Sequence, residues 1–146
     1  NGWMVGEFGQ IQRSTDAGQT WVSVASPVKN SLMSVYFRDA DRGVAVGLAG
    51  TVLVSSDGGA SWKEAPHLTR EHLNCVIWDG THWVAVGDKG IRVVAGEGAA
   101  DWKAGRISDK DLSWRTQIVR TADDFVLAGA NLAVLHQDEL RILGRD

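Results

Sequence analysis

The sequence writes one phrase three times at an almost constant interval, Val-Gly-x-x-Gly followed by a box of the form Ser-x-Asp-x-Gly-x-Thr/Ser-Trp. The first copy runs through Gly6, Gly9, Ser14, Asp16, Gly18, Thr20 and Trp21, the second through Gly47, Gly50, Ser55, Asp57, Gly59, Ser61 and Trp62. A worn third copy keeps Gly87, Gly90, Glu97 and Trp102. Trp21 and Trp62 are 41 residues apart, Trp62 and Trp102 are 40 apart, and Gly129 follows Gly87 by 42. A unit of that length cannot bury both faces of its own sheet, so successive units must stack. Four short strands per unit is the signature of one blade of a β-propeller.

Short β-branched and aromatic runs bounded by Gly, Asp and Ser give the strands. In the second unit they are predicted at 32–37, 43–47, 51–55 and 61–65, and in the third at 73–78, 82–87, 90–95 and 101–104. The fourth repeats them at 114–119, 124–129, 132–136 and 139–143, whereas the first has only three, at 2–6, 10–14 and 20–25. The expected fold is therefore all-β. It comprises one propeller segment over 1–146, in units of approximately 1–26, 30–66, 72–104 and 112–144. A ring has four to eight blades, and about three and a half are expected here, so the segment reads as a fragment of a larger ring.

A net charge of −3 provides no overall field for nucleic acid or an anionic membrane. A single cysteine, Cys75, excludes an internal disulfide, and no apolar run is long enough for a transmembrane helix.

The box explains itself as turn chemistry. Asp16 and Asp57 stand where a hairpin reverses, and a short carboxylate there accepts from backbone N–H groups a few residues on. Gly18 and Gly59 permit positive φ. Thr20 and Ser61 add a hydroxyl, and the indoles of Trp21, Trp62 and Trp102 are expected to be buried as anchors of the outermost strands. Calcium loops converge several oxygens on one point, whereas each box offers one carboxylate, so no metal or other cofactor is expected.

The unit Leu32-x-x-Val35-x-Phe37, Asp41-Arg42-Gly43-Val44-Ala45-Val46-Gly47, Gly50-Thr51-Val52-Leu53-Val54-Ser55, Asp57-Gly58-Gly59-x-Ser61-Trp62 resembles the bacterial-neuraminidase or Asp-box repeat. It is most similar to the version in the photosystem II assembly/stability factor family. The similarity is good over 1–104 and weak over 105–146. The resemblance implies a non-enzymatic, extracytoplasmic propeller (periplasm, thylakoid lumen or secreted) that holds partner proteins during assembly, with a targeting segment outside this chain. The same box occurs in sialidases and xyloglucanases. An alternative reading is accordingly a fragment of a secreted Asp-box glycoside hydrolase whose catalytic residues lie elsewhere.

No residue is expected to be catalytic here. A glycosidase needs two carboxylates across one site, and Asp39, Asp41, Asp79, Asp88, Asp123 and Asp124 all sit beside turn formers at places that follow the repeat. His67, His72, His82 and His136 lack metal-ligand spacing, and Cys75 reads as a small buried or channel-lining residue. Trp3 and Trp83 are expected at equivalent places, packing between blades, and Trp78 and Trp114 on innermost strands.

One charge feature stands out. Residues 102–120 carry Lys103, Arg106, Lys110, Arg115 and Arg120 against Asp109 and Asp111, a local balance of +3, while the segments on either side are each −3. These five basic residues are the candidate docking patch for an acidic surface on a partner protein of unknown identity. A third reading has two copies of the chain associating to close the ring.

Overall fold

The computed structural model describes residues 1–144 and is all-β, in four antiparallel sheets that each meander from one strand to the next. The first sheet has three strands, β1 (Gly2–Val5), β2 (Ile11–Ser14) and β3 (Val22–Val24). The second has β4 (Leu32–Phe37), β5 (Gly43–Gly47), β6 (Val52–Ser55) and β7 (Lys63–Glu64). In the third are β8 (Leu73–Trp78), β9 (Trp83–Gly87), β10 (Ile91–Ala95) and β11 (Lys103–Arg106). The fourth contains β12 (Arg115–Arg120), β13 (Phe125–Gly129), β14 (Ala133–His136) and β15 (Glu139–Ile142).

Burial follows position within a sheet. β5 and β9 are buried at every residue, because sheets cover both of their faces, whereas β7 and β11 are exposed throughout. Side chains alternate across a pleated strand. Val44 and Val46 of β5 therefore enter the core shared with the third sheet, while Ala45 between them enters the core shared with the first. On β9, Trp83 and Ala85 face the second sheet, and Val84 and Val86 face the fourth. The chain has three inter-sheet layers in place of a single core.

The Val-Gly-x-x-Gly phrase is explained by backbone approach between neighbours. Each copy ends its strand in a tight turn, at Glu7–Gly9, Leu48–Gly50 and Asp88–Gly90. At Gly50 φ is +71°, and a Cβ would lie 1.9 Å from the carbonyl oxygen of Thr69, in the segment leading to the third sheet. The hairpin of the fourth sheet is two residues shorter, with Leu127 paired to Ala133 as Ala85 is to Val93, so no residue there holds the place of Gly90. In β4, β8 and β12 the register shifts at the same place, between Leu32 and Ser34, Leu73 and Cys75, and Arg115 and Gln117.

Two expectations need correction. The strands expected from 20, 61 and 101 begin later, because the box tryptophan belongs to the turn. Trp21 Nε1 donates to the Gly18 carbonyl at 3.1 Å and Trp102 Nε1 to that of Ala99 at 2.9 Å. Trp3 and Trp83 are also not equivalent. Gly2 pairs with Ser14, Gly43 with Ser55 and Trp83 with Ala95, so Trp83 corresponds to Gly43 and Gly2, one residue out of step with Trp3. A one-residue offset turns a side chain to the opposite face. Trp3 stacks on Phe37 with centroids 3.6 Å apart and donates to the Gly58 carbonyl at 2.8 Å, whereas Trp83 packs against Tyr36 and Trp78.

Candidate functional site

The two intact boxes have nearly superimposable chemistry. Asp16 accepts from Ser14 Oγ at 2.8 Å, Thr20 N at 2.9 Å and Thr20 Oγ1 at 2.6 Å, while Gly18 N donates to Ser14 Oγ at 2.8 Å. Asp57 accepts from Ser55 Oγ at 2.9 Å, Ser61 N at 2.9 Å and Ser61 Oγ at 2.5 Å, while Gly59 N donates to Ser55 Oγ at 2.9 Å. The hydroxyls of Thr20 and Ser61, followed by their backbone N–H groups, lower the two carboxyls from 3.8 to about 2. A carboxylate held ionised by donors of its own turn is a fastener, and a poor proton donor at neutral pH. Trp62 and Trp102 are each 6% exposed, but Trp21 is only half-buried, against Gly2 on a sheet with no neighbour on its outer face among the described residues.

The third box has exchanged its parts. Glu97 occupies the place of Asp57, and Asp101 that of Ser61. Asp101 Oδ1 now accepts from Gly96 N at 3.0 Å, so the carboxylate has moved to the far side of the turn. Glu97 is turned away toward the second sheet, where Arg38 Nη2 donates to its Oε1 at 2.6 Å and Arg42 Nη1 at 3.4 Å. The Arg38 guanidinium lies 4.6 Å above the Trp78 ring and also donates through Nε to Asp39 at 3.2 Å. Asp39 is itself held by the N–H groups of Arg42 at 2.7 Å and Asp41 at 2.9 Å. Arg38 draws the Glu97 carboxyl below its usual range, and Glu97 in turn raises the Arg38 guanidinium. This clamp between the second and third sheets was missed from sequence. Its one signal was an acidic residue longer than Asp at a box position.

The basic stretch is not one surface. Arg106 pairs with Ile91, at the end of the third sheet that carries the Asp88–Gly90 turn, and Lys103 pairs with Val94, toward the box end. Arg120 pairs with Phe125, and its Nη1 donates to the Asp79 carbonyl, again at the box end. Lys110 precedes Asp111, whose carbonyl lies against Gly90, so it belongs with Arg106. Lys103 and Arg106 lie three residues apart on the four-residue β11, about 10 Å along it and on opposite faces of the sheet. Arg106 Nη1 donates to the Lys89 carbonyl at 2.7 Å, and Lys103 and Lys110 are exposed. Arg115 does not belong to any docking patch. It is 1% exposed, with Nη2 on Asp111 at 2.7 Å and Nη1 on the Asn131 carbonyl at 3.0 Å and side-chain oxygen at 2.6 Å. A cation so enclosed presents no charge to a partner.

The carboxylates outside the boxes serve turns and neighbours. Asp79 Oδ1 accepts from Thr81 N at 2.8 Å and His82 N at 2.7 Å; burial works against ionisation there, and these amides outweigh it, leaving the carboxyl below its ordinary value. Asp88 accepts from Asn74 at 3.1 Å, and Asp124 lies 2.5 Å from His136 Nδ1. Cys75 is 5% exposed, and burial raises its thiol pKa. No group of three or more His, Cys, Asp or Glu side chains suited to a metal ion occurs among the described residues.

Comparison with known proteins gives a consistent picture. The model of a family described as photosynthesis system II assembly factor YCF48 matches residues 18–124. The photosystem II assembly lipoprotein Ycf48 of Synechococcus sp. (strain CC9605) is 34% identical over 88 residues, covering 56% of this chain and 26% of that protein. A solved structure of YCF48 bound to D1 peptide matches with a TM-score of 0.75 at 18% identity, over 96% of this chain and 50% of that one. The structure of YCF48 from Cyanidioschyzon merolae matches with a TM-score of 0.69 at 19% identity, over 84% of this chain and 40% of that one. At such identities the two structures establish the propeller fold. The chain spans about a quarter of the curated relative and half or less of the solved chains.

Proposed function

The chain belongs to the photosynthesis system II assembly factor YCF48 family, and from that premise we propose that it is a non-enzymatic propeller segment that holds an extended stretch of a partner protein. The observation carrying this reading is the family match across residues 18–124, which takes in the end of the first box and the whole of the second and third. Supporting it, the boxes, the Glu97 clamp and the interleaved cores join the sheets into a stiff support, and the related YCF48 was solved with a D1 peptide. A stiff support binds without spending ordering entropy of its own. The reading includes residues 1–146 acting as one segment of a ring, and an extracytoplasmic location in keeping with a relative described as a lipoprotein.

Within it, Lys103 with Arg120, and separately Lys110 with Arg106, are two contact sites for acidic partner surface. The hydrolase alternative has no observation of its own in its favour. Calorimetric titration of the chain with D1 peptide tests the reading. Saturable binding is expected, weakened by raised salt and by reversing the charge of one basic pair. A folded chain showing no saturation at about 1 mM peptide, an affinity of about 4 kcal/mol or less, would overturn it.

A further inference from the structure

Three junctions separate the four sheets, and an indole from a box closes two of them. Trp62, 6% exposed, meets Phe37 edge-on in the first junction, with centroids 5.7 Å apart, and Trp102, also 6% exposed, shares the second with Trp83. The fourth sheet has no box. Its last hairpin turns directly between the paired His136 and Glu139, so no indole is available for the third junction. A cavity of about 210 Å³ stands there, walled by Val84, Val86 and Val94 of the third sheet and by Ile118, Leu127 and Leu135 of the fourth.

Register places this cavity where the missing ring belongs. Phe125 pairs with Leu135 as Trp83 pairs with Ala95, so Phe125 corresponds to Trp83, and His82 and Val94 correspond to Arg42 and Val54. In the second junction Trp102 packs in one cluster with Val44, Val46, Val76, Trp83, Ala85 and Ala95, while a further cleft of about 310 Å³ lies between Arg42 and Val54 and the third box turn at Glu97, Gly98 and Ala99. In the third junction the residues equivalent to that cluster, Val84, Val86, Ile118, Phe125, Leu127 and Leu135, line the cavity.

The lining also selects among apolar ligands. Arg92 lies at the cavity with a side chain 29% exposed, paired at 3.2 Å to Asp138, which is itself 87% exposed. A guanidinium so weakly engaged favours the electron-rich face of an aromatic ring over an aliphatic group. Arg38 already does this, 4.6 Å above Trp78 at the second junction. An apolar cavity of about 150 Å³ is large enough to bind benzene and stays dry without it.

We propose that the cavity between the third and fourth sheets is an anchor site for one aromatic side chain, of indole size, carried on an extended segment of a partner protein. The inference rests on the partner-holding reading for the owner of the ring, and on the cavity alone for the ring. The experiment separates the two. The folded chain is followed by methyl NMR at Leu127, Leu135 and Ile118, first with free indole and then with two short uncharged peptides that differ only in a central Trp or Ala. Expected are saturable shifts at these methyls with indole, and the same shifts with the Trp peptide at an affinity at least tenfold above the Ala peptide. Two filling variants, Val94→Phe and Leu135→Phe, should each remove the indole response, and whichever is folded by circular dichroism suffices. Absence of indole shifts at these methyls, or indole binding that survives filling, overturns the site while leaving the D1-peptide titration untouched. Equal binding of both peptides overturns the anchor role.

Discussion

Gly87 and Gly6 occupy the same place in the third and first units and have almost the same extended backbone, φ −170° and ψ −139° against φ −165° and ψ −159°. Any residue adopts such dihedrals, so conformational preference cannot distinguish them. Their surroundings can. A Cβ on Gly87 would lie 1.8 Å from the carbonyl oxygen of His72 and 2.9 Å from Leu73 Cα, whereas a Cβ on Gly6 would meet nothing within 4 Å. Ordinary contact begins near 3.4 Å, so Gly87→Ala forces the start of β8 outward. That movement breaks the Asp88 N to His72 O hydrogen bond of 3.0 Å and loosens Leu73, which is fully buried. The hydrogen bond contributes about 1 kcal/mol, and overpacking against main chain costs about 1–3 kcal/mol. Gly87→Ala should therefore destabilise by about 2–4 kcal/mol. Gly6→Ala should stabilise by about 0.5 kcal/mol, through lost freedom of the unfolded chain. Urea unfolding at unchanged slope measures both. In thermal melts the gap corresponds to about 10 °C for a domain of this size. Gly47→Ala, with Ser31 O at 2.1 Å, and Gly129→Ala, with Trp114 O at 2.2 Å, should follow Gly87. Equal midpoints for Gly87→Ala and Gly6→Ala would refute the claim that close backbone approach explains the glycine.

Other consequences are as direct. Asp16 and Asp57 have folded-state pKa values of about 2 against an ordinary 3.8, so the stability they contribute is complete above pH 4 and is lost as pH falls toward 2; the double variant Asp16→Asn, Asp57→Asn should flatten that acid limb of melting temperature against pH. Removing Arg38 as Arg38→Met should move the Glu97 titration up toward 4.5 in carboxyl NMR, and an unmoved midpoint would dissolve the clamp. Trp62→Ala should cost about 3–5 kcal/mol as a buried ring, and Trp21→Ala clearly less, since Trp21 is only half-buried; chemical denaturation ranks them. Arg115→Met removes the buried guanidinium's bonds to Asp111 and Asn131 and should lower stability by about 3 kcal/mol or more, with no change in the salt dependence of peptide binding, whereas Lys103→Glu should change that dependence at unchanged stability.

Local chemistry accounts for what was legible. A strand announces itself by β-branched runs between glycines, and β4, β5, β8 and β9 lie within a residue of their expected bounds. The boxes were equally readable, because Asp16 and Asp57 find their donors within four residues. The clamp was not, since Arg38 and Glu97 are 59 residues apart and meet only when the second and third sheets stack. The basic stretch misled for a related reason. Neighbours in sequence were treated as neighbours in space, yet β11 is the outermost strand of one sheet and β12 the innermost of the next, so the intervening loop carries the chain across the blade.

By itself the sequence determined the repeat, the strands, the turn fasteners and thereby the family's all-β architecture, because each depends on hydrogen bonds and side-chain alternation within some ten residues. Tertiary structure alone decided which face each tryptophan takes, that Arg115 is buried while Lys103 is exposed, and that the third junction lacks the ring that closes the other two. Those outcomes depend on the register and stacking of sheets distant along the chain, where a shift of one residue reverses a side chain and no local pattern records it.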